Sequence, residues 1–207
     1  LMFYGCVAIA MSLVWLFIHP PDQQSRSNRE SRVSFRDSLR YVMSLHNLWI
    51  LGIGGLGINA CIQGFSGYLP TYLKSIGWEN LDADRALSAF FVTSLTAVIP
   101  LSILSDRLRL RRGFLIFAAL VLSVGIGLLS VVDGVLIVLV IAATGFVFDS
   151  FMAILNASVL EVEGVSHIYA GTAIGFATMI RNLGGTFSPP VGNSLASIGL
   201  NVPFLFW

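Results

Sequence analysis

Two ionisable residues lie deep inside long apolar runs, Asp149 and Arg181. A charge at membrane depth is costly, so such residues pair with one another or mark an ion or substrate pathway. Each stands sixteen residues from Val165, the centre of the short polar break between their two runs. If both runs are antiparallel helices rising 1.5 Å per residue, the two charges reach a similar depth, and an ion pair is expected between them. Two chemistries follow. The pair is a permanent lock between helices, or it exchanges partners, a proton on Asp149 freeing Arg181 to bind an anion.

Other polar groups fall on faces that could line the same pathway. Asn59 and Gln63 are an i, i+4 pair. Asn156 follows Asp149 by seven residues and shares its face, and Thr178, Arg181 and Ser188 form a stripe with Asn182 beside it. Tyr68 and Tyr72 flank Pro70, where a helix is expected to bend. Each of these residues also has a plain reading as a hydrogen bond between helices. Catalysis finds no support: no Ser/His/Asp or Cys/His set is suitably spaced, and His19, His46 and His167 all stand at the edges of apolar runs. Cys6 and Cys61 offer neither a disulfide framework nor metal-ligand spacing, and no cofactor is expected. Gly52, Gly54 and Gly57 satisfy a G-x-G-x-x-G pattern, but no strand precedes them, so a nucleotide site is excluded.

The elements that must position these residues are membrane helices. Of 207 residues, 56% are apolar and only 11% charged, against about a quarter charged in a soluble domain. A soluble enzyme, a nucleic-acid binder and a disordered chain are thereby excluded, whereas the net charge of +1 excludes nothing. The long uninterrupted apolar runs predict helices rather than barrel strands. They cover Leu1 to Ile18, Leu48 to Leu73, Ala86 to Leu104, Gly113 to Val132, Gly134 to Leu160 and Ile168 towards Ala196. Pro203 to Trp207 reads as the first turn of a seventh span. Gly171 and Gly175, four residues apart, are expected to let helices approach closely.

Basic residues give an orientation. Arg26, Arg29, Arg32, Arg36 and Arg40 precede the second span, and Arg107, Arg109, Arg111 and Arg112 follow the third. The two groups are two spans apart, so they share a side, and the positive-inside rule makes that side cytoplasmic. The segment from Glu161 to His167 must lie on the same side although it has no Lys or Arg. The stretch from Pro20 to Ser31 reads as a polar linker. From Ser34 onward, Phe35, Leu39, Val42 and Met43 recur at helical spacing beside Arg32, Arg36 and Arg40, which predicts an amphipathic helix on the inner membrane surface.

In this order the residues resemble a family. The basic loop between the first two spans stands where the major facilitator superfamily has its central cytoplasmic loop. The run Ser102, Ile103, Leu104, Ser105, Asp106, Arg107, Leu108, Arg109, Leu110, Arg111, Arg112 is similar to that family's G-x-x-x-D-R-x-G-R-x-R loop, with Ser102 and Arg109 where glycines are usual. Gly171 to Gly175, then Asn182, Gly184, Gly185, Pro189 and Pro190, resemble its Gly-rich eleventh helix, and Tyr68 to Leu73 the outer end of its seventh.

The resemblance covers the whole chain and implies an all-helical membrane fold. Residues 1–18 would be the last helix of an N-terminal half. Residues 19–46 would be the central cytoplasmic loop with its amphipathic helix. Residues 47–207 would be a C-terminal bundle, with the last helix incomplete. It also implies a conformational latch at Asp106, Arg107, Arg111 and Arg112, and a cavity lined by the seventh, eighth, tenth and eleventh helices.

The expected function is a secondary transporter in the plasma or inner membrane, moving a small anion with protons by alternating access. Its pathway would use Asp149, Arg181, Asn59, Gln63, Asn156, Asn182 and Thr178. The expected partners are the lipid bilayer, an N-terminal half of the same chain and a small-molecule substrate, with no nucleic acid. Efflux of amphipathic compounds is the alternative within that class. A non-transporting membrane sensor is the alternative outside it.

Overall fold

A computed structural model describes residues 2–17, 34–108 and 110–207. The linker arginines Arg26, Arg29 and Arg32, together with His19 and Arg109, lie outside the described residues. The described secondary structure is helical throughout, without strands. The chain divides into residues 1–35 and residues 36–207. The first unit contains helix α1, Met2–Phe17, which carries no charged residue.

The boundary falls within the first turn of α2 (Phe35–Ser44), and the second unit continues with α3 (His46–Ser75), α4 (Asn80–Leu108), α5 (Arg111–Leu128), α6 (Val135–Leu160), α7 (Ala170–Ser194) and α8 (Val202–Phe206). Four of them, α3 to α6, are long and apolar enough to cross a membrane. The 30 residues of α3 extend about 45 Å, more than the roughly 30 Å of a bilayer's hydrocarbon. Glycines inside α3 cost helix stability in water, but a lipid-exposed backbone must satisfy its own hydrogen bonds, and only a helix does so within one segment. Helix α7, with 25 residues, is also long but carries Arg181, two asparagines and Pro189–Pro190, which make it more polar.

Contacts between residues fix how the helices run. Gly52 meets Ile180, and further along both chains Leu56 and Ala60 meet Gly184, so α3 and α7 are parallel. Phe90 meets Gly145 and Ser94 meets Asp149, so α4 and α6 are also parallel. Arg111 meets Glu161 while Gly125 meets Thr144, so α5 runs antiparallel to α6. The α3–α7 and α4–α6 seams are the most extensive, and α6 and α7 touch far less.

Glycine sets the closeness of these seams. A Cβ on Gly184 would collide with the Leu56 carbonyl oxygen, and one on Gly145 with the Phe90 carbonyl oxygen and Thr93 Oγ1. Gly171 and Gly175 do not serve this purpose, because a Cβ at either would meet open space. Their spacing marks a small-residue face, but the face of α7 that meets α3 is the one carrying Ile180 and Gly184.

The largest core fills the space among α3, α4, α5, α6 and α8, with Phe65, Phe90, Leu122, Ile141 and Phe204 at its centre. A smaller one joins Val42 of α2 to Leu48, Val159, Ala173, Phe176 and Ile180. It closes the end of the bundle where α6 finishes and α7 begins.

Candidate functional site

The expected ion pair between Asp149 and Arg181 is not formed. The Arg181 guanidinium donates to Asn156 Oδ1 at 3.2 Å and to Met152 Sδ at 3.7 Å. Asn156 lies seven residues beyond Asp149, about 10 Å along α6. The cause is side-chain direction. Long helical side chains lean towards the N-terminus of their own helix. Arg181 therefore leans towards the start of α7, at the loop end of the bundle, and Asp149 leans the opposite way along α6. Equal spacing from the loop centre therefore does not bring the two charged groups together.

Asp149 is held through its backbone. Its N–H donates to the Ser94 hydroxyl at 3.0 Å, and the neighbouring Ser150 hydroxyl donates to the Ala97 carbonyl at 3.3 Å. Ser94 and Ser150 are fully buried, and Gly145 lets α4 come close enough for these bonds. The half-buried Asp149 carboxylate has neither ion pair nor hydrogen bond among the described residues. It shares a stripe at helical spacing with exposed Phe146, Asn156 and Leu160. This is the face of α6 left uncovered by α4 and α5.

On the α3 side, Asn59 is brought to the Arg181 backbone and Gln63 to Gly185, one turn further along α7. Asn59 Nδ2 donates to the Arg181 carbonyl oxygen at 3.1 Å. A Cβ on Gly185 would come 3.0 Å from the Gln63 Cγ, so Gln63 lies across that glycine. Gly55 makes room for Leu155, since a Cβ there would sit 2.9 Å from Leu155 Cδ2, and the arginine stem lies in ordinary contact at 3.5 Å from Cδ. Thr178 is half-buried, and Asn182 is exposed with no side-chain hydrogen bond among the described residues. The tyrosines stand apart. Tyr68 and Tyr72 are buried at the other end of α3 against Phe204, and the Tyr68 hydroxyl donates to the Leu200 carbonyl at 2.9 Å. They tie α8 to the bundle and do not line the open face.

A second polar cluster lies at the loop end. Arg111 Nη2 and Nε reach the same Asp106 oxygen at 2.9 and 3.2 Å, and Arg111 Nη1 pairs with Glu161. Arg111 is the less exposed partner, at 27% against 60% for each carboxylate. One guanidinium therefore joins the α4–α5 connection to the end of α6. Arg112 lines the recess of about 570 Å³ beside them. Arg107 is exposed and forms no ion pair among the described residues. Sequence spacing alone does not single out Glu161. The available signal was an acidic loop required to share a side with four arginines.

The profile of the Major Facilitator Superfamily matches residues 1–189. No curated protein and no solved structure matches the chain. The order of the membrane helices, the Asp106–Arg111 loop and the profile agree, and the chain belongs to the major facilitator superfamily, a family of secondary transporters.

Proposed function

We propose that this transporter moves a small anion together with protons by alternating access, with Arg181 as the anion-binding group and Asp149 as the proton-carrying group. The observation that carries the reading is the company Arg181 keeps. Its side chain touches a neutral amide and a thioether, and no carboxylate pairs with it among the described residues. A cation held at membrane depth by neutral partners favours an arriving anion, because pairing offsets its desolvation. Asp149 stands on the same open face without a cation, so its proton can leave or arrive without breaking a bond in the bundle.

Asn59, Gln63, Asn156, Asn182 and Thr178 would shape the pathway around Arg181. The face they occupy would meet an N-terminal half of the same protein, and the substrate would lie between the halves near the midplane. Asp106, Arg111 and Glu161 would hold one conformational state closed at the loop end, with Arg107 and Arg112 at the membrane surface. That end would be cytoplasmic by its arginine content, in a plasma or inner membrane.

The test is proton flux in proteoliposomes containing the full-length protein. Addition of a transported organic or inorganic anion should move protons with it, while neutral and cationic solutes should not. Proton movement with cations alone would reject the reading.

A further inference from the structure

We infer that α2 is a docking surface for anionic phospholipid, seated on the leaflet at the loop end of the bundle. Its residues separate into three faces. Ser38 and Val42 are buried, and Val42 packs with Leu48, Val159 and Phe176. On the next face Phe35, Leu39 and Met43 recur every four residues. The bundle leaves Phe35 72% and Met43 46% exposed. Arg36 and Arg40, one position further on, form a parallel exposed row. Neither arginine has a carboxylate partner among the described residues.

Apolar side chains beside a row of free arginines match the boundary between acyl chains and phosphate headgroups. The chain itself brings that boundary to α2. Only Leu45 separates α2 from α3, a membrane-crossing helix, and the Trp49 indole donates to the Met43 carbonyl at 2.9 Å across the junction. This corner holds α2 beside the first turn of α3. A water-soluble partner or a second copy of the chain would leave the continuity with α3 unexplained.

The far side of α2 holds the α6–α7 connection. Tyr41 stacks on Tyr169 at 4.5 Å between ring centroids, and its hydroxyl donates to the Gly164 carbonyl at 3.2 Å. Gly164 has φ +95°, a conformation that strains other residues. Lipid bound on one face of α2 thereby steadies the loop that follows Glu161.

The test uses the full-length protein, with Cys6→Ser and with Met43→Cys carrying a polarity-sensitive fluorophore. Cys61 is buried and stays native. Emission and quenching by headgroup-proximal spin-labelled lipid are compared between vesicles of phosphatidylcholine alone and vesicles with about one quarter phosphatidylglycerol. The expected result is stronger lipid quenching in the anionic vesicles, and a roughly five-fold fall in the embedded-to-exposed ratio for each of Arg36→Gln and Arg40→Gln. Equal quenching in both vesicle types, or an anionic-lipid effect that survives the double substitution, would overturn the inference. A signal that follows protein density instead of lipid composition would also overturn it, in favour of contact between copies.

Discussion

The Arg181 guanidinium meets the Asn156 amide oxygen at 3.2 Å, across the gap between α7 and α6. A neutral residue thus stands where a charged partner would close the arginine off. The choice of an amide here leaves Arg181 oriented but not neutralised, and this makes position 156 decisive.

Asn156→Asp should therefore impair transport more than Asn156→Ala. The aspartate would place a permanent carboxylate on Arg181, and a paired, partly buried charge is held by about 1–3 kcal/mol. Substrate affinity should fall by about ten-fold or more in Asn156→Asp, read from concentration-dependent uptake. In Asn156→Ala the arginine keeps its charge and loses only its orientation, so the fall should be smaller.

Gly184 and Gly175 should respond differently to the same change. Gly184→Ala drives a methyl group into the Leu56 carbonyl oxygen and should cost about 1–3 kcal/mol. Gly175→Ala meets open space and should be neutral or slightly stabilising, since alanine is the better helix former. Thermal unfolding in detergent distinguishes the two.

The Arg111 cluster should behave as exposed ion pairs do. A double-mutant cycle with Arg111→Gln and Glu161→Gln should give a coupling of about 0.2–1 kcal/mol that fades in high salt. A cycle pairing Arg107→Gln with Glu161→Gln should give none. If the cluster latches one state, Glu161→Gln should also speed exchange between conformations, read by site-directed fluorescence.

Ser94→Ala removes the hydroxyl that accepts the Asp149 N–H. It should lower stability by about 1 kcal/mol. It should also perturb proton coupling more than the equally buried Thr144→Ser, which lies one turn or more from Asp149 and bonds only within α6.

Much of this arrangement was legible in the residues. Apolar runs located the long helices among the described residues, and helical spacing located α2, because hydrophobicity and backbone satisfaction both act along the sequence. Helix ends were less legible. Helix α4 begins at Asn80, not Ala86, because Asp82 sits favourably in its first turn although it is not apolar. Residue spacing predicts similar depths for Asp149 and Arg181, but that Arg181 meets Asn156 and Met152 depends on packing that spacing does not contain. Gly171 and Gly175 had the spacing of a close contact, yet only the fold could show that Gly184 and Gly185 occupy it. Glu161 is not legible on its own, because its value depends on Arg111, fifty residues earlier in the chain.

The most direct test of the central claim separates binding from proton coupling. Full-length protein in proteoliposomes is assayed for substrate exchange without a proton gradient and for uptake driven by one. Asp149→Asn should retain exchange and lose gradient-driven uptake, while Arg181→Gln should lose both. Gradient-driven uptake by Arg181→Gln at the rate of the unaltered protein would contradict the assignment of Arg181 as the anion site.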